Sequence, residues 1–254
     1  MRPDSLYRWQ WQAARLLAQN GDRQGAIVTY RQTIATLQQI RGGILAASRN
    51  LQFDFRDEIE PIYRELLTLL LADDTNLDEA LVVLDLLRLA EVQEFYGDDC
   101  VEVAQALAQT SQRYVATYIH SKGQYQLAQQ PAPATRDNTT IVYSVILADQ
   151  VYLITETSQG QHQRFVVPIS GSELEEQVIT LRLQLENRAT NAYRPLASQL
   201  YDSLIRPLEA SLGGSDTLVF VHDGALRQIP MAALYDGQRF LIERSRSRLR
   251  PASA

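Results

Sequence analysis

Hydrophobic and polar residues follow two different spacings along this 254-residue chain, and the change comes near residue 130. Up to about residue 120 the apolar residues recur at intervals of three and four, which places them on one face of a helix. The leucine-rich segments 56–72 and 76–95 show this spacing most clearly, with stripes formed by Ile62, Leu66, Leu69 and Leu70 and by Leu77, Leu81, Leu84 and Leu87. The first half is therefore predicted to be stacked helices.

Residues 7–38 have the layout of one helical hairpin. The small residues Ala13 and Ala14 precede a Gly21-Asp22 turn, and Ala26, Tyr30 and Thr33 follow it. This arrangement resembles a tetratricopeptide repeat (TPR), from which it departs at Thr33 and at Gln38. Repeats of this kind are held by contacts between neighbours, so the following helices are expected to complete a TPR-like all-α helical stack over residues 1–125.

The second half begins with a linker and then changes to strand-like patterning. The segment "QQPAPATRDNTT" carries prolines with small and polar residues, and it indicates a linker over residues 126–140. Short β-branched and aromatic runs follow as "IVYSVIL", "VYLITET" and "RFVVPIS". Their separation by short polar segments predicts two β-hairpins.

Helix signals come next. Ser172 and Glu175 have capping-box spacing, so a helix is expected to start at Glu173. A further helix is predicted before Gly213, with Pro207 breaking or kinking it. The last segment, "YDGQRFLIE", predicts an Asp-Gly turn and one more short strand.

The run "TLVFVHDG" predicts a buried strand that delivers His222 and Asp223 to its carboxyl end. Side chains at the carboxyl ends of parallel strands face a common crevice, which is where an α/β enzyme places its chemistry. His222 therefore has two interpretations. It is a catalytic candidate, or it is an ordinary strand-end side chain whose hydrogen bonds are satisfied locally by Asp223 or by backbone groups. The second interpretation is favoured.

Composition limits the classes of function. A formal net charge of −6 argues against a general nucleic-acid-binding surface, and no apolar run approaches the roughly 18 residues of a membrane span. The first 17 residues do not read as a secretory signal. One cysteine, Cys100, excludes an internal disulfide and a cysteine-rich zinc site. These features favour a cytoplasmic protein with no nucleic acid and no membrane as partner.

No combination of residues forms a recognisable catalytic or cofactor motif. Cys100 follows two aspartates that disfavour its thiolate form, and His120 and His162 lie in other segments. The histidines lack the paired spacing of a zinc site, and no phosphate-binding glycine motif is present. We therefore expect no catalytic residues, no metal site and no cofactor in this chain.

Four segments carry a resemblance to a known family. They are "LQFDFRDEIEPIYRELLTLLL", "NLDEALVVLDLLRLAEVQEFYGDDC", "YRPLASQLYDSLIRPLEA" and "DTLVFVHDGALRQIPMAALYDGQRFLIE". Together, over about residues 5–244, they resemble CHAT proteins, which are caspase-like proteins with TPR helices in front, common in cyanobacteria and other bacteria. The resemblance implies a cysteine-peptidase fold, with a parallel sheet flanked by helices and a His-Cys dyad on successive strand ends.

The resemblance also implies where the dyad would lie. The family histidine follows the equivalent of "LIER", residues 241–244, and the cysteine comes later still. We expect nothing past Arg244 to resemble the family, so the chain is interpreted as truncated before the catalytic His and Cys. His222 matches no catalytic position of the family. The fold class expected is mixed α+β and α/β: the helical stack, then residues 141–244 as an incomplete caspase-like domain with β-hairpins.

Three functions remain open. The first is a protein-protein interaction or regulatory module without peptidase activity, which binds a protein or peptide through the helical region. The alternative is a fragment of a caspase-like cysteine endopeptidase, completed by missing sequence or by a partner chain. The third is a free-standing helical scaffold.

Two surfaces add expectations about association. Strand edges left uncovered by an incomplete sheet favour self-association. The tail 245–254 alternates arginine with other residues and is expected to be disordered, although as an extended chain it would offer a basic ladder to acidic partners.

Overall fold

The computed structural model describes residues 3–47, 59–96, 138–187, 189–212, 215 and 217–244. The chain divides into two compact units, residues 1–130 and 131–254. The division falls inside the predicted linker, most of which lies outside the described residues. No helix in the described ranges has the length and apolar composition to cross a membrane.

The described part of the first unit is entirely helical, as the spacing predicts. Its helices are α1 (Pro3–Gln19), α2 (Arg23–Ala47), α3 (Glu60–Leu70) and α4 (Leu77–Tyr96). Each packs against the next along the chain. The α1–α2 turn uses Gly21 with a φ of +81°, a conformation that favours glycine. The presence of helical hairpins is confirmed, whereas their kinship with TPR repeats stays a prediction.

Burial in this unit follows the predicted contact positions with one exception. Ala14, Ala26, Tyr30 and Thr33 are all buried where helices approach each other. Ala13, which was expected to share that role, is exposed. Adjacent residues on a helix differ by about 100° in direction, so Ala13 and Ala14 cannot both face a single neighbour.

A buried ion pair joins α2 to α4. The Arg31 guanidinium donates to both carboxylate oxygens of Glu79, at 2.9 and 2.7 Å, and the Glu79 side chain is only 4% exposed. Two parallel N–H···O bonds fix the distance and the orientation of the two side chains. Glu79 therefore locks non-adjacent helices together.

The second unit is built on a four-stranded sheet. Its strands are β1 (Thr139–Ile146), β2 (Val151–Thr157), β3 (His162–Val167) and β4 (Thr217–Val221), in the order β3-β2-β1-β4. The β1–β2 and β2–β3 pairs are antiparallel and confirm the two predicted hairpins. Strand β4 returns to lie parallel to β1. The described sheet is therefore mixed.

Helices follow the hairpins and cover one face of the sheet. They are α5 (Gly171–Glu186), α6 (Tyr193–Leu204) and α7 (Glu209–Leu212), with a 3₁₀ turn at Arg206–Leu208 where Pro207 was expected to interrupt the helix. Leu174, Val178 and Leu181 of α5 are fully buried in one core cluster with Val142 and Leu153 of the sheet. Removing this apolar area from water stabilises the layer packing.

The α5 start was predicted two residues too late. Ser170 is the N-cap, and its hydroxyl accepts a hydrogen bond from the Glu173 backbone N–H at 3.2 Å. Both Ser170 and Ser172 precede a glutamate by three residues, so spacing alone does not distinguish them. The backbone decides, because Ser170 has the extended conformation of a cap.

The predicted final strand is wrong. Tyr235 and Phe240 form an isolated bridge around the Asp236 turn, but the chain then forms a short helix, α8 (Leu241–Arg244). The Glu243 carboxylate accepts from the Phe240 backbone N–H at 2.7 Å and so satisfies a group at the helix start. The apolar composition of residues 240–242 suits a strand, but this local capping favours a helix.

Candidate functional site

The carboxyl ends of β1 and β4 form the edge at which a site is expected in this unit. The two strands are parallel, with Thr139 opposite Thr217 and Tyr143 opposite Val221. Parallel strands bring their following loops to the same side of the sheet. The loop after β4 begins with His222 and Asp223 and enters a 3₁₀ turn at Gly224–Gln228.

His222 lies at the end of β4 as a half-buried side chain. Its ring stacks on Phe220 of the same strand, with centroids 5.7 Å apart and an interplanar angle of 14°. Its backbone carbonyl accepts a hydrogen bond from the Arg227 guanidinium at 3.3 Å. These contacts fix the ring and the loop, and they agree with a strand-end role.

Asp223, rather than His222, makes the hydrogen bonds that join the ends of these two strands. It is fully buried, and one carboxyl oxygen accepts a hydrogen bond from the Ile146 backbone N–H at 2.8 Å. Its own backbone N–H donates to the Ser144 hydroxyl at 2.9 Å. We call Ser144, Ile146 and Asp223 the β1–β4 clasp, because their two hydrogen bonds join the strand ends beyond the regular ladder.

The clasp is closely packed by backbone. Gly171, the first residue of α5, donates its N–H to the carbonyls of Leu147 and Ala148, each at 3.1 Å. A Cβ placed on Gly171 would lie 2.7 Å from the Leu147 carbonyl oxygen. Gly224 has a φ of +46°, and a Cβ placed on it would lie 3.3 Å from Cδ1 of Ile146. The edge is thus filled by main chain from three elements.

We predict that Gly171→Ala lowers the free energy of unfolding by about 1–2 kcal/mol, because the Leu147 carbonyl must move. This is a net value: the strain itself is larger, but the higher helix propensity of alanine offsets up to about 1 kcal/mol of it. Urea unfolding followed by circular dichroism measures the change. Ser172→Ala, one residue along on the exposed side, is the control and should change stability by under about 0.5 kcal/mol. Equal stability of the two variants would refute the close-packing argument.

The other histidine in the described residues lies elsewhere. His162 begins β3, and its Nε2 lies 3.8 Å from a carboxylate oxygen of Glu156, its register partner on β2. Glu156 also accepts a hydrogen bond from Tyr143 at 2.9 Å. Cys100 and His120 lie outside the described residues, so the structure gives no geometry for them. Within the described ranges, no three His, Cys, Asp or Glu side chains converge as a metal site.

Among the described residues, a further polar cluster lies in the helical unit. The Glu65 carboxylate on α3 accepts from the Trp11 indole N–H at 2.6 Å, the Arg15 guanidinium and the Tyr30 hydroxyl at 2.8 Å. Burial by itself raises the pKa of Glu65, but these hydrogen bonds and the Arg15 charge bring it below its usual value. This Glu65 network links α1, α2 and α3, and it makes Glu65 a structural anion.

Sequence reasoning missed both Glu65 and the clasp. Ser144 gave a usable signal, because it is a polar residue on the same face of β1 as the buried Val142. A hydroxyl at a core-facing position requires a hydrogen-bond partner. Glu65 gave a similar signal beside the buried Leu66. Neither signal identifies the partner, which lies far away along the chain.

The described part of this unit is an α+β domain with a mixed sheet, in which β1 and β4 form the parallel pair. The family model of the CHAT domain matches residues 194–254. These residues are therefore similar to the CHAT domain, and the resemblance inferred from the sequence is confirmed over this range. No curated protein and no solved structure matches the chain.

The range of the match corrects one expectation. It begins within α6, includes β4 and α8, and continues to residue 254. The expectation that nothing past Arg244 resembles the family is therefore wrong. The expectation was based on the segment "SRSRLRPASA", which lacks the apolar run of a buried strand. Similarity to a family does not require every segment to be apolar.

Proposed function

We propose that this chain is a CHAT-domain protein that acts by binding a protein partner through a TPR-like helical unit and that has no peptidase activity by itself. We infer the lack of peptidase activity from the side chains that fill the carboxyl ends of β1 and β4. His222 stacks on Phe220 there, and Asp223 serves as a buried acceptor for Ile146. A Cys-His dyad needs a thiolate within hydrogen-bond reach of an imidazole, and the only cysteine of the sequence, Cys100, lies outside the family match.

The helical unit supports the binding part of the proposal. Its four described helices pack in chain order, and buried polar links hold them in place: Glu65 reaches α1 and α2, and Arg31 reaches α4. Stacked helical hairpins of this kind present extended surfaces to partners. A rigid stack loses little conformational entropy on binding, which favours a protein or peptide ligand. The acidic composition and single cysteine favour a cytoplasmic location and a partner other than nucleic acid.

One observation favours the alternative of a caspase-like endopeptidase completed by further polypeptide. Strand β4 is at the edge of the described sheet, and in the part of the chain that the structure describes only β1 pairs with it. The edge strand of a sheet can pair with another strand through main-chain hydrogen bonds. A strand added next to β4 would bring new side chains to the edge occupied by His222.

The expected result for the purified full chain is no hydrolysis of unfolded protein substrates or fluorogenic peptides above the buffer rate. Cys100→Ser should give the same null result. Turnover by the natural chain that disappears in Cys100→Ser would overturn the proposal. Sequencing the DNA beyond codon 254 separates the alternative, because a His-Gly strand followed by a cysteine-containing strand in any frame would restore a candidate dyad.

A further inference from the structure

The outward face of α5 combines two exposed apolar side chains with glutamates around them. Ile179 is 38% exposed and Leu183, one helical turn further on, is 55% exposed. At 100° per residue, Glu175, Glu176 and Glu186 all fall within about 60° of the line between these two apolar residues. All three glutamates are exposed. We call these five residues the α5 acidic face.

Negative charge is concentrated on α5 within the second unit. Residues 171–186 hold four glutamates and one arginine, whereas residues 187–244 hold six acidic residues and six arginines. The arginine of α5, Arg182, lies outside the acidic face, about 80° from its centre line at 100° per residue. Electrostatic complementarity therefore favours a positively charged ligand on this face, and its apolar centre favours a ligand that also offers hydrocarbon surface.

Residues 245–254 have the complementary composition. They lie outside the described residues, and their sequence, "SRSRLRPASA", contains three arginines and no acidic residue. An extended segment advances about 3.3 Å per residue, so Arg246 and Arg250 would lie about 13 Å apart. Glu175 and Glu186 are separated by about 17 Å along the helix axis at 1.5 Å per residue. The arginine row is thus matched in length and in charge to the α5 acidic face.

The arginine segment is tethered to the core on which α5 packs. Leu241 of α8 and Leu181 of α5 are buried in the same core cluster. The segment follows directly after α8, which ends at Arg244, and ten residues reach up to about 33 Å when extended. A short tether gives a high effective concentration, so binding within one chain is favoured over binding to a second copy.

We propose that residues 245–250 bind the α5 acidic face of the same chain. The arginine stems cover Ile179 and Leu183, because such stems bury against apolar surface while the charged groups stay at water. The guanidinium groups pair with the surrounding glutamates. Exposed ion pairs are individually weak and are screened by salt, so this contact is reversible. An acidic partner that captures the arginine row would uncover α5, and this does not depend on partner binding by the helical unit.

Trypsin cleavage of the full chain, followed by mass spectrometry, tests the contact. The double variant Glu175→Gln, Glu176→Gln should be cleaved after Arg246 and Arg248 about threefold faster or more at low ionic strength, because two of the carboxylates that hold the arginines are neutral. In about 1 M sodium chloride the natural chain and the variant should be cleaved at the same rate, since charges are screened beyond about 3 Å.

The control variant is Asp149→Asn, Asp202→Asn. It removes the same charge from two exposed positions, in the β1–β2 turn and on α6, and should leave the cleavage rate unchanged. Equal cleavage of the natural chain and the α5 variant at low ionic strength overturns the proposal. Equal acceleration in the α5 variant and the control also overturns it, because the effect would then follow net charge alone.

A charge exchange tests the pairing directly. In a Cys100→Ser background, Leu183→Cys and Ser247→Cys in one chain should form an intrachain disulfide under mild oxidation. Adding Glu175→Arg and Glu176→Arg should slow this reaction about threefold or more, and adding Arg246→Glu and Arg248→Glu to that variant should restore the rate. Rates that do not respond to these charges overturn the proposal. Disulfide-linked dimers in place of the intrachain product overturn binding within one chain.

Discussion

Asp223→Ala is expected to lower the free energy of unfolding of the second unit, which contains the sheet, by about 2–3 kcal/mol. The substitution removes the carboxylate that accepts the Ile146 N–H, at a position with no solvent exposure, so that this hydrogen bond between the strand ends is lost. It also removes a side chain from a packed edge and leaves a small cavity. Urea unfolding monitored by circular dichroism measures the total effect. Native-state hydrogen exchange at the Ile146 amide measures the local one.

Two variants show whether the clasp is responsible. Asp223→Asn keeps an oxygen acceptor of the same size and should retain more stability than alanine does. Asp202→Ala removes an exposed aspartate that pairs with Arg206 on the surface, and it should change stability by under about 1 kcal/mol. If Asp223→Ala costs no more than Asp202→Ala, or if exchange at Ile146 is unchanged, the clasp has no structural role.

Glu65→Ala should be the most damaging polar substitution in the helical unit, at about 2–3 kcal/mol. It removes the common acceptor of Trp11, Arg15 and Tyr30, so three donors from two other helices lose a partner together. Hydrogen bonds to a charged group contribute about 1.5–3 kcal/mol each in isolation. The combined loss of stability is smaller than their sum, because Arg15 is 38% exposed and water can reach it. Both tryptophans of the chain lie on α1, so intrinsic fluorescence follows this unit selectively.

Glu60→Ala on the same helix is the matched control. Glu60 pairs with Arg64 at the (i, i+4) spacing, and such pairs contribute only about 0.3–0.5 kcal/mol. Glu65→Ala should therefore shift the fluorescence-monitored unfolding midpoint several times further. Indistinguishable midpoints would show that the Glu65 network does not hold the helices together.

The Glu65 network also predicts an acid dependence. Because the folded pKa of Glu65 is below its ordinary value of 4.5, its stabilising contribution is complete above about pH 4.5 and is lost as pH falls through the folded pKa. Asp73 acts in the same direction, since hydrogen bonds from Thr75 and Arg23 lower its pKa to about 2. In Glu65→Gln the loss of stability below pH 4.5 should be shallower.

The elements of this fold were largely predictable, because each depends on local spacing. Helices α1–α4 follow from apolar intervals of three and four, and β1–β3 follow from β-branched runs separated by short turns. Boundaries were less accurate where two sequence signals compete, as at Ser170 and Ser172. The strand predicted at the end of "YDGQRFLIE" is wrong, because the Glu243 carboxylate caps a helical turn in a segment whose composition suits a strand.

The site was less predictable, for a physical reason. The sequence draws attention to His222, a residue type associated with catalysis, whereas the structure places Asp223 in the buried role. Asp223 meets Ser144 from 79 residues away, and Glu65 meets Arg15 from 50 residues away. Local patterns identify a polar residue that needs a partner, but only the topology supplies that partner.

The return of β4 to the side of β1 has a consequence for how the second unit folds. The β1–β2–β3 meander needs only short loops to close, so it can form as soon as residue 167 is available. Closing the sheet against β1 must wait until residues 217–221 have been made, after helices α5, α6 and α7 have been added. During that interval the nascent chain presents the open side of β1 to its surroundings, which makes this the stage of synthesis most exposed to misassembly.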